Sequence, residues 1–553
     1  MSASDKKKLR KEQVNAALTE KQRQAQKEAK QLKIYTITFV CIMLVVAIAA
    51  ASIFVMQRVN LSGILLKNTV AASVGEEELN TVELNYYYND AINEFYNQWY
   101  QQYETYTDTY LEAVGLNVKE PLDEQFYDEE TKQTWADYFI ETAIENAKKD
   151  LTFYNLAKSE NFELPEDEQA ELDSTMEYMG TYATLYGYSD TDAYLRRMYG
   201  NGADMKSYRQ YAERRTIANS FIHEHEHSLT YTSDDLSKYA EDKVSQYNSY
   251  TYHSAYLSYT DFRQGGTEGE DGNKTYTDEE NNAAREAMKA AAEKLGACKT
   301  LDELKEMLPT IQVNEDSQLA INEYKNQRHT AVNAAVAEWL SGERKEGDIT
   351  AIASETTSTD ADGNETTTVN GYYVVCFVSV NTNEEPMSNV RHLLVAFEGG
   401  KQDETTGQTT YSDEEKAAAK KEADELLKTW KEGDATEDSF IELVKEKTDD
   451  TGSAETGGLY ENINPDSQYV PNFLNWAISP DRQKGDVEIV ETEYGYHIMY
   501  YVGDSEQTYR DYMITEDKRA EDQQTWYDEI MKPVTAEKLD TSKMTLDKVI
   551  SNG

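Results

Sequence analysis

Cysteine is scarce in this chain, positive charge is in short supply, and one stretch has no charge at all. The three cysteines among 553 residues, Cys41, Cys298 and Cys376, form no Cys-x-x-Cys pair. That excludes a dithiol redox site and a zinc ribbon and leaves no disulfide scaffold; at most, Cys298 and Cys376 form one bridge in an oxidising compartment. Lysine and arginine number 54 against 103 aspartates and glutamates, for a net charge of −49. Binding a phosphate backbone requires neutralising cations, so nucleic acid is excluded as a partner. Acidity of this size suits solubility and self-repulsion, with basic clients or loosely held cations as the alternative.

The uncharged stretch is Ile34–Met56, 23 mostly apolar residues. At 1.5 Å per residue it reaches across a hydrocarbon core of roughly 30 Å. Residues 1–33 carry ten Lys/Arg against four Asp/Glu, a net +6 that leaves −55 for the remainder. The positive-inside rule then predicts a basic cytoplasmic arm (1–33), a single transmembrane helix (34–56) and an extracytoplasmic bulk. A cleaved signal peptide is the competing reading, with Ala47–Ser52 as its cleavage region, but its apolar part is usually only about 7–15 residues long. At this length three or four domains are expected.

From 75 to 247 the pattern is helical and rich in tyrosine, as in Tyr86-Tyr87-Tyr88 and Tyr100 to Tyr110. Those rings either pack between helices or offer broad, adaptable faces to unfolded chains. A repeat follows. Thr275-Tyr276-Thr277-Asp278-Glu279-Glu280 returns as Thr410-Tyr411-Ser412-Asp413-Glu414-Glu415, each a capping box opening a helix. Trp339 through Gly347-Asp348-Ile349 returns as Trp476 through Gly485-Asp486-Val487. Asn370-Gly371-Tyr372-Tyr373 returns as Tyr494-Gly495-Tyr496-His497. Two domains of one α+β type are therefore expected, at 248–383 and 388–504. Aligned this way His392 best meets Ala255, with the nearby His253 leaving that register open, and His497 meets Tyr373, so the first copy is expected to have lost the histidines. Its insertion Ser354–Thr368 reads as a mobile surface loop. The tail, 507–553, returns to a helical pattern.

The second copy holds the sharpest signals: Val390-Arg391-His392-Leu393-Leu394-Val395, a Gly457-Gly458 turn, Val470-Pro471-Asn472-Phe473, and Gly495-Tyr496-His497-Ile498. In this order and spacing they resemble a parvulin-type peptidyl-prolyl isomerase. Together with Val74-Gly75-Glu76-Glu77-Glu78-Leu79 opening a long helical region, and an anchor before it, the whole resembles the PrsA/SurA class of foldases. The resemblance implies an α+β multidomain chain: a transmembrane helix, a helical chaperone module (75–247), a degenerate parvulin-like domain, an isomerase domain, and a C-terminal segment packed on the chaperone module. It implies His392, Asp450 and His497 as catalytic residues, and Phe473 and Tyr469 as the floor and wall of a proline pocket. Tyr469 stands where methionine is common, which could narrow that pocket, and Gly457-Gly458-Leu459-Tyr460 departs from the usual Gly-Gly-Asp-Leu-Gly. Cys41, inside the apolar stretch, does not match the lipoprotein cysteine of many relatives. The clients implied are secreted or unfolded polypeptides with X-Pro bonds, with no cofactor and no metal; a non-catalytic holdase or surface scaffold is the alternative.

A rival motif lies in His223-Glu224-His225-Glu226-His227, which satisfies His-Glu-x-x-His for a zinc protease. No convincing third ligand follows downstream. An exposed helix end is the expected reading.

Overall fold

The computed structural model describes residues 2–268, 273–359, 365–402 and 407–546. It comprises two compact units, one formed by 1–229 with 522–553 and the other by 230–521.

In the first unit a single helix, α1 (Ala3–Ser62), joins the basic arm to the apolar stretch, so the two are not separate elements. The arm's lysines, glutamines and alanines are strong helix formers; Ser2 and Asp5 close a capping box, and Gly63 ends the helix in left-handed conformation (φ 61°). Its Glu20–Ser62 portion is long and apolar enough to cross a membrane.

The unit's sheet begins at Val70, ahead of the expected start of the module at 75. Strands β1 (Val70–Val74) and β2 (Glu77–Asn80) turn about Gly75. A further strand, Ala536–Lys538, pairs antiparallel with β1, so the tail expected to be helical also carries a strand.

Helices α2 (Thr81–Tyr103), α3 (Trp135–Ser159) and α4 (Met205–Ser228) form the body. Tyr86, Tyr87 and Tyr88 lie in their core, where Tyr86 stacks on Tyr211 at 5.2 Å. Tyr100, Tyr106 and Tyr110 instead stay exposed. From the tail, Trp526 and Tyr527 pack on Phe153 at 5.2 and 5.1 Å.

The second unit begins at Thr230, not at 248. Leu236, Ala240 and Tyr247 share a core with Met387, Tyr509 and Met513, so apolar burial assigns the segment ahead of the first repeat to this unit. The first sheet has β3 (Ser249–Ser258), β4 (Asn322–Arg328), β5 (Ile349–Thr359) and β6 (Glu365–Asn381), ordered β4-β3-β6-β5. Helix α5 (Asp278–Gly296) covers one face and α6 (Ala334–Leu340) the other. The insertion expected as a loop is instead mostly paired strand, Glu365↔Thr359 through Val369↔Glu355, with residues 360–364 outside the described ones. Its threonines are β-branched and suit a pleated ladder; Thr357 and Thr367 join hydroxyls across it at 3.0 Å. Cys298 and Cys376 are buried free thiols in this domain.

The second sheet has β7 (Pro386–Ala396), β8 (Leu459–Ile463), β9 (Val487–Glu491) and β10 (Gly495–Thr508), ordered β8-β7-β10-β9. Helix α7 (Asp413–Glu432) packs on one face and α8 (Pro471–Ala477) on the other. Helix α9 (Tyr509–Met531) follows.

Both sheets thus share one topology, and their ladders correct the repeat alignment by one residue. Gly371 lies opposite Ser258 as Gly495 lies opposite Ala396, so His392 corresponds to Ser254, not Ala255, while His497 does correspond to Tyr373. A one-residue slip moves a strand's side chains to the opposite face. Ala255 faces the α5 side, among Ala284 and Met288.

Candidate active site

The geometry at the second sheet starts from its two central strands. His392 on β7 lies opposite Met499, and His497 on β10 opposite Leu394. The histidines are therefore diagonal neighbours on one face, and their Nδ1 atoms approach to 3.0 Å. They are 3% and 5% exposed.

The chain after β7 returns along that strand's edge. Leu394 N–H donates to Thr448 Oγ1, Asp449 N–H to the Leu394 carbonyl, and Ala396 N–H to Asp449 Oδ2. This clamp sets Asp450 beside His392, with Oδ2 3.0 Å from Nε2. The Gly457-Gly458 turn then closes over the site. Both glycines have positive φ, and a Cβ on Gly458 would lie 2.1 Å from the His392 carbonyl oxygen, so only glycine fits the approach. From either side of the turn, the Ser453 and Tyr460 hydroxyls both donate to Asp450 Oδ2, the latter at 3.3 Å.

Burial holds both imidazoles neutral. His392 lies below its ordinary value through burial, against the pull of Asp450, and His497 is pushed down to about 3 by burial and by His392. Burial works to raise Asp450, but the Ser453 hydroxyl and His392 hold its carboxyl below the usual range.

With Asp450 ionised, the tautomers follow. The carboxylate only accepts, so His392 donates from Nε2 and accepts at Nδ1. His497 then donates from Nδ1, and its Nε2 accepts from Thr492 Oγ1 at 2.9 Å. A directional series runs Thr492, His497, His392, Asp450.

The apolar side comes from α8. Val470 is its extended N-cap and Pro471 occupies the first helical position, which suits proline's fixed φ. Two residues on, Phe473 is 4% exposed and turns edge-on to both imidazoles, at 5.4 Å from His392 and 5.5 Å from His497. Tyr469, half-buried, lies 5.3 Å from Phe473 and meets Tyr460 in a T-shape at 5.4 Å. The structure therefore gathers His392, Asp450, His497, Tyr469 and Phe473 into one cluster: an aromatic floor and wall beside a carboxylate held by fixed donors.

Ser453, Tyr460 and Thr492 join it without having been singled out for it by sequence. Their only signal is proximity in the chain, three and ten residues after Asp450 and five before His497. Elsewhere, His223 and His227 bring their Nε2 atoms to 3.0 Å on an exposed helix end, and among the described residues no group of three or more His, Cys, Asp or Glu is placed to hold a metal.

Comparison with known proteins bears on the same region. Residues 372–504 match the family model of the PPIC-type PPIASE domain, which begins one strand ahead of the second sheet. The parvulin-type assignment of this part of the chain thus has a family match behind it. A curated foldase protein PrsA from Clostridium botulinum (strain Langeland / NCTC 10281 / Type F) is 43% identical over 81 residues, 14% of this chain and 23% of that protein. Its counterpart from strain Okra / Type B1 is 41% identical over the same length and shares. The matched stretch thus spans under a quarter of these relatives' length. Among solved structures, PrsA from Bacillus subtilis is 24% identical, covering 27% of this chain and 49% of that one with a TM-score of 0.18. Foldase protein PrsA from Streptococcus pneumoniae is 13% identical, covering 72% and 84% with a TM-score of 0.19.

Proposed function

We propose that this chain is a membrane-anchored extracytoplasmic foldase that catalyses cis/trans isomerisation of X-Pro bonds in secreted, unfolded polypeptides. The observation that carries the reading is the Thr492–His497–His392–Asp450 series set against the Phe473 floor. Rotation about a peptide bond faces a barrier of roughly 18–20 kcal/mol because the planar amide is conjugated. Conjugation places negative charge on the carbonyl oxygen and positive charge on nitrogen, and twisting removes both.

With the proline ring on Phe473 against Tyr469, the carbonyl before it lies toward Asp450. A carboxylate there opposes charge on the carbonyl oxygen, and so raises the planar form relative to the twisted one. His392 and His497 act as positioning residues, orienting Asp450 through fixed tautomers. No nucleophile and no cofactor is required. The apolar segment within α1 is the anchor, its basic arm lies on the cytoplasmic side, and the helical module holds clients. The PrsA relatives, named as foldases, support this reading.

In the full chain, His392→Ala lowers the rate of cis/trans exchange of a short X-Pro peptide by about tenfold or more, the scale of a displaced electrostatic group, while retaining binding of an unfolded client. A folded chain that gives no acceleration even with His392 intact favours the second reading, a holdase or scaffold. The first sheet, which has the same strand order and pairing without the two histidines, supports that second reading.

A further inference from the structure

A cavity of about 490 Å³ opens within the second unit, at the loop that runs into Tyr469. Part of its wall is the loop Asn464, Asp466, Ser467 and Gln468, and the next residue is Tyr469, the wall of the proline pocket. The loop is held by its own hydrogen bonds: Asn464 N–H donates to Ser467 Oγ at 3.0 Å, and Asp466 N–H to Asn464 Oδ1 at 3.0 Å. One short, braced segment thus lines the cavity and leads directly into the Tyr469 wall of the pocket. At about 3.3–3.6 Å per extended residue, the two to four residues flanking a proline seated on Phe473 extend roughly 7–14 Å from it, the range over which a client is tested for contact with the cavity.

The chemistry of the cavity differs from that of the pocket. Asp466, Glu516 and Asp517 face it against one cation, Arg328. Arg328 lies 3.3 Å from Asp466, which also accepts from the Tyr509 hydroxyl at 2.5 Å. Glu516 pairs with Arg519, and Asp517 faces the Tyr247 hydroxyl. The lining therefore keeps an excess of negative charge. Tyr509, Tyr512 and Met513 add apolar surface between the acids. The positive end of α9 does not oppose a cation with free donors, because Tyr509 and Arg510 N–H groups donate to the Glu385 and Asn383 carbonyls and Asp511 N–H to Thr508 Oγ1. Apolar walls with carboxylates beyond them match a side chain with an aliphatic stem and a cationic head.

We infer that this cavity is a substrate subsite that takes a lysine or arginine side chain of the client, two to four residues from the proline being isomerised. The inference rests on the isomerase reading above and adds a substrate class to it. Acting on bound substrate away from the rotating bond, the subsite lowers KM more than it raises kcat.

The test uses the full chain in uncharged detergent and X-Pro peptides with Lys, Glu or Ala placed two, three or four residues to either side of proline, with cis/trans exchange followed by NMR. At the best position Lys is favoured over Glu by about fivefold in kcat/KM, equivalent to ~1 kcal/mol, and the advantage shrinks in 1 M salt. Glu516→Gln with Asp517→Asn brings the Lys-to-Glu ratio toward one, and Asp517→Lys inverts it. A flat series with the Ala peptide still accelerated overturns the subsite alone. A Lys preference unmoved by both variants also overturns it. An Ala peptide with no acceleration removes the isomerase reading and the subsite with it.

Discussion

The two sheet domains are the same ladder carrying different chemistry. In each, two long central strands pair antiparallel, a glycine starts the last rung, and a short helix covers the face opposite the long one. Where the second has His392, His497 and Phe473, the first has Ser254, Tyr373 and Val336; Val336 stands three residues before Trp339 as Phe473 stands three before Trp476. Tyr324 lies opposite Tyr252 as Tyr460 lies opposite Val390, so this tyrosine position is common to both. The ladder is held by backbone pairing and by apolar packing on both faces, neither of which needs an imidazole. The scaffold and the site are separable parts of the sequence.

The sharpest way to break the comparison is to remove the matching core residue from each domain. Phe473→Ala costs the second domain about 3–5 kcal/mol, read as a lowered denaturation midpoint, and abolishes isomerisation. Val336→Ala costs the first domain about 2 kcal/mol and leaves isomerisation intact. Activity lost with Val336→Ala would mean that the first sheet takes part in the chemistry.

Acid sharpens it further. Free in the unfolded chain, His497 titrates near 6.5, but in the fold its value lies near 3. Between these values the unfolded state binds more protons, so its contribution to stability is present above about 6.5 and is lost as pH falls toward about 3. His392 shifts the same way. His253 and His329 of the first domain are also lowered by burial, but both are only half-buried. Urea titrations between pH 7 and pH 4 should therefore show the second domain losing more stability than the first, a difference that His497→Asn reduces.

The smallest effect is expected at the position the domains share. Tyr460→Phe removes one of the donors to Asp450 and keeps the ring, lowering kcat/KM by no more than about threefold, since the Ser453, Gly452 and His392 donors remain. A larger loss would make Tyr460 a main support of the carboxylate.

Much of this is legible in the sequence. The paired capping boxes at Thr277/Glu280 and Ser412/Glu415 begin helices at both places, because a cap depends only on residues three apart. The short apolar runs Val390–Val395 and Tyr496–Tyr500 likewise read as strands, and they lie in β7 and β10. Other features were out of reach. Tyr86-Tyr87-Tyr88 is core while Tyr106 is exposed, although the local composition is alike. The Ser354–Thr368 insertion looked like a loop because polar threonines hide a strand whose partner is the next strand in the chain.

By itself, then, the sequence determined the split between a basic, apolar N-terminal segment and an acidic remainder, the internal repeat, and which copy carries histidines, since these depend on composition and short spacings. The tertiary structure alone decided that Ser254 stands in the place of His392, that Thr492 and Asp450 terminate one polarised series, and that the loop leading into Tyr469 lines an acidic cavity. Strand register and the approach of residues 58 or 105 positions apart are set by which faces bury together, and no local pattern records that.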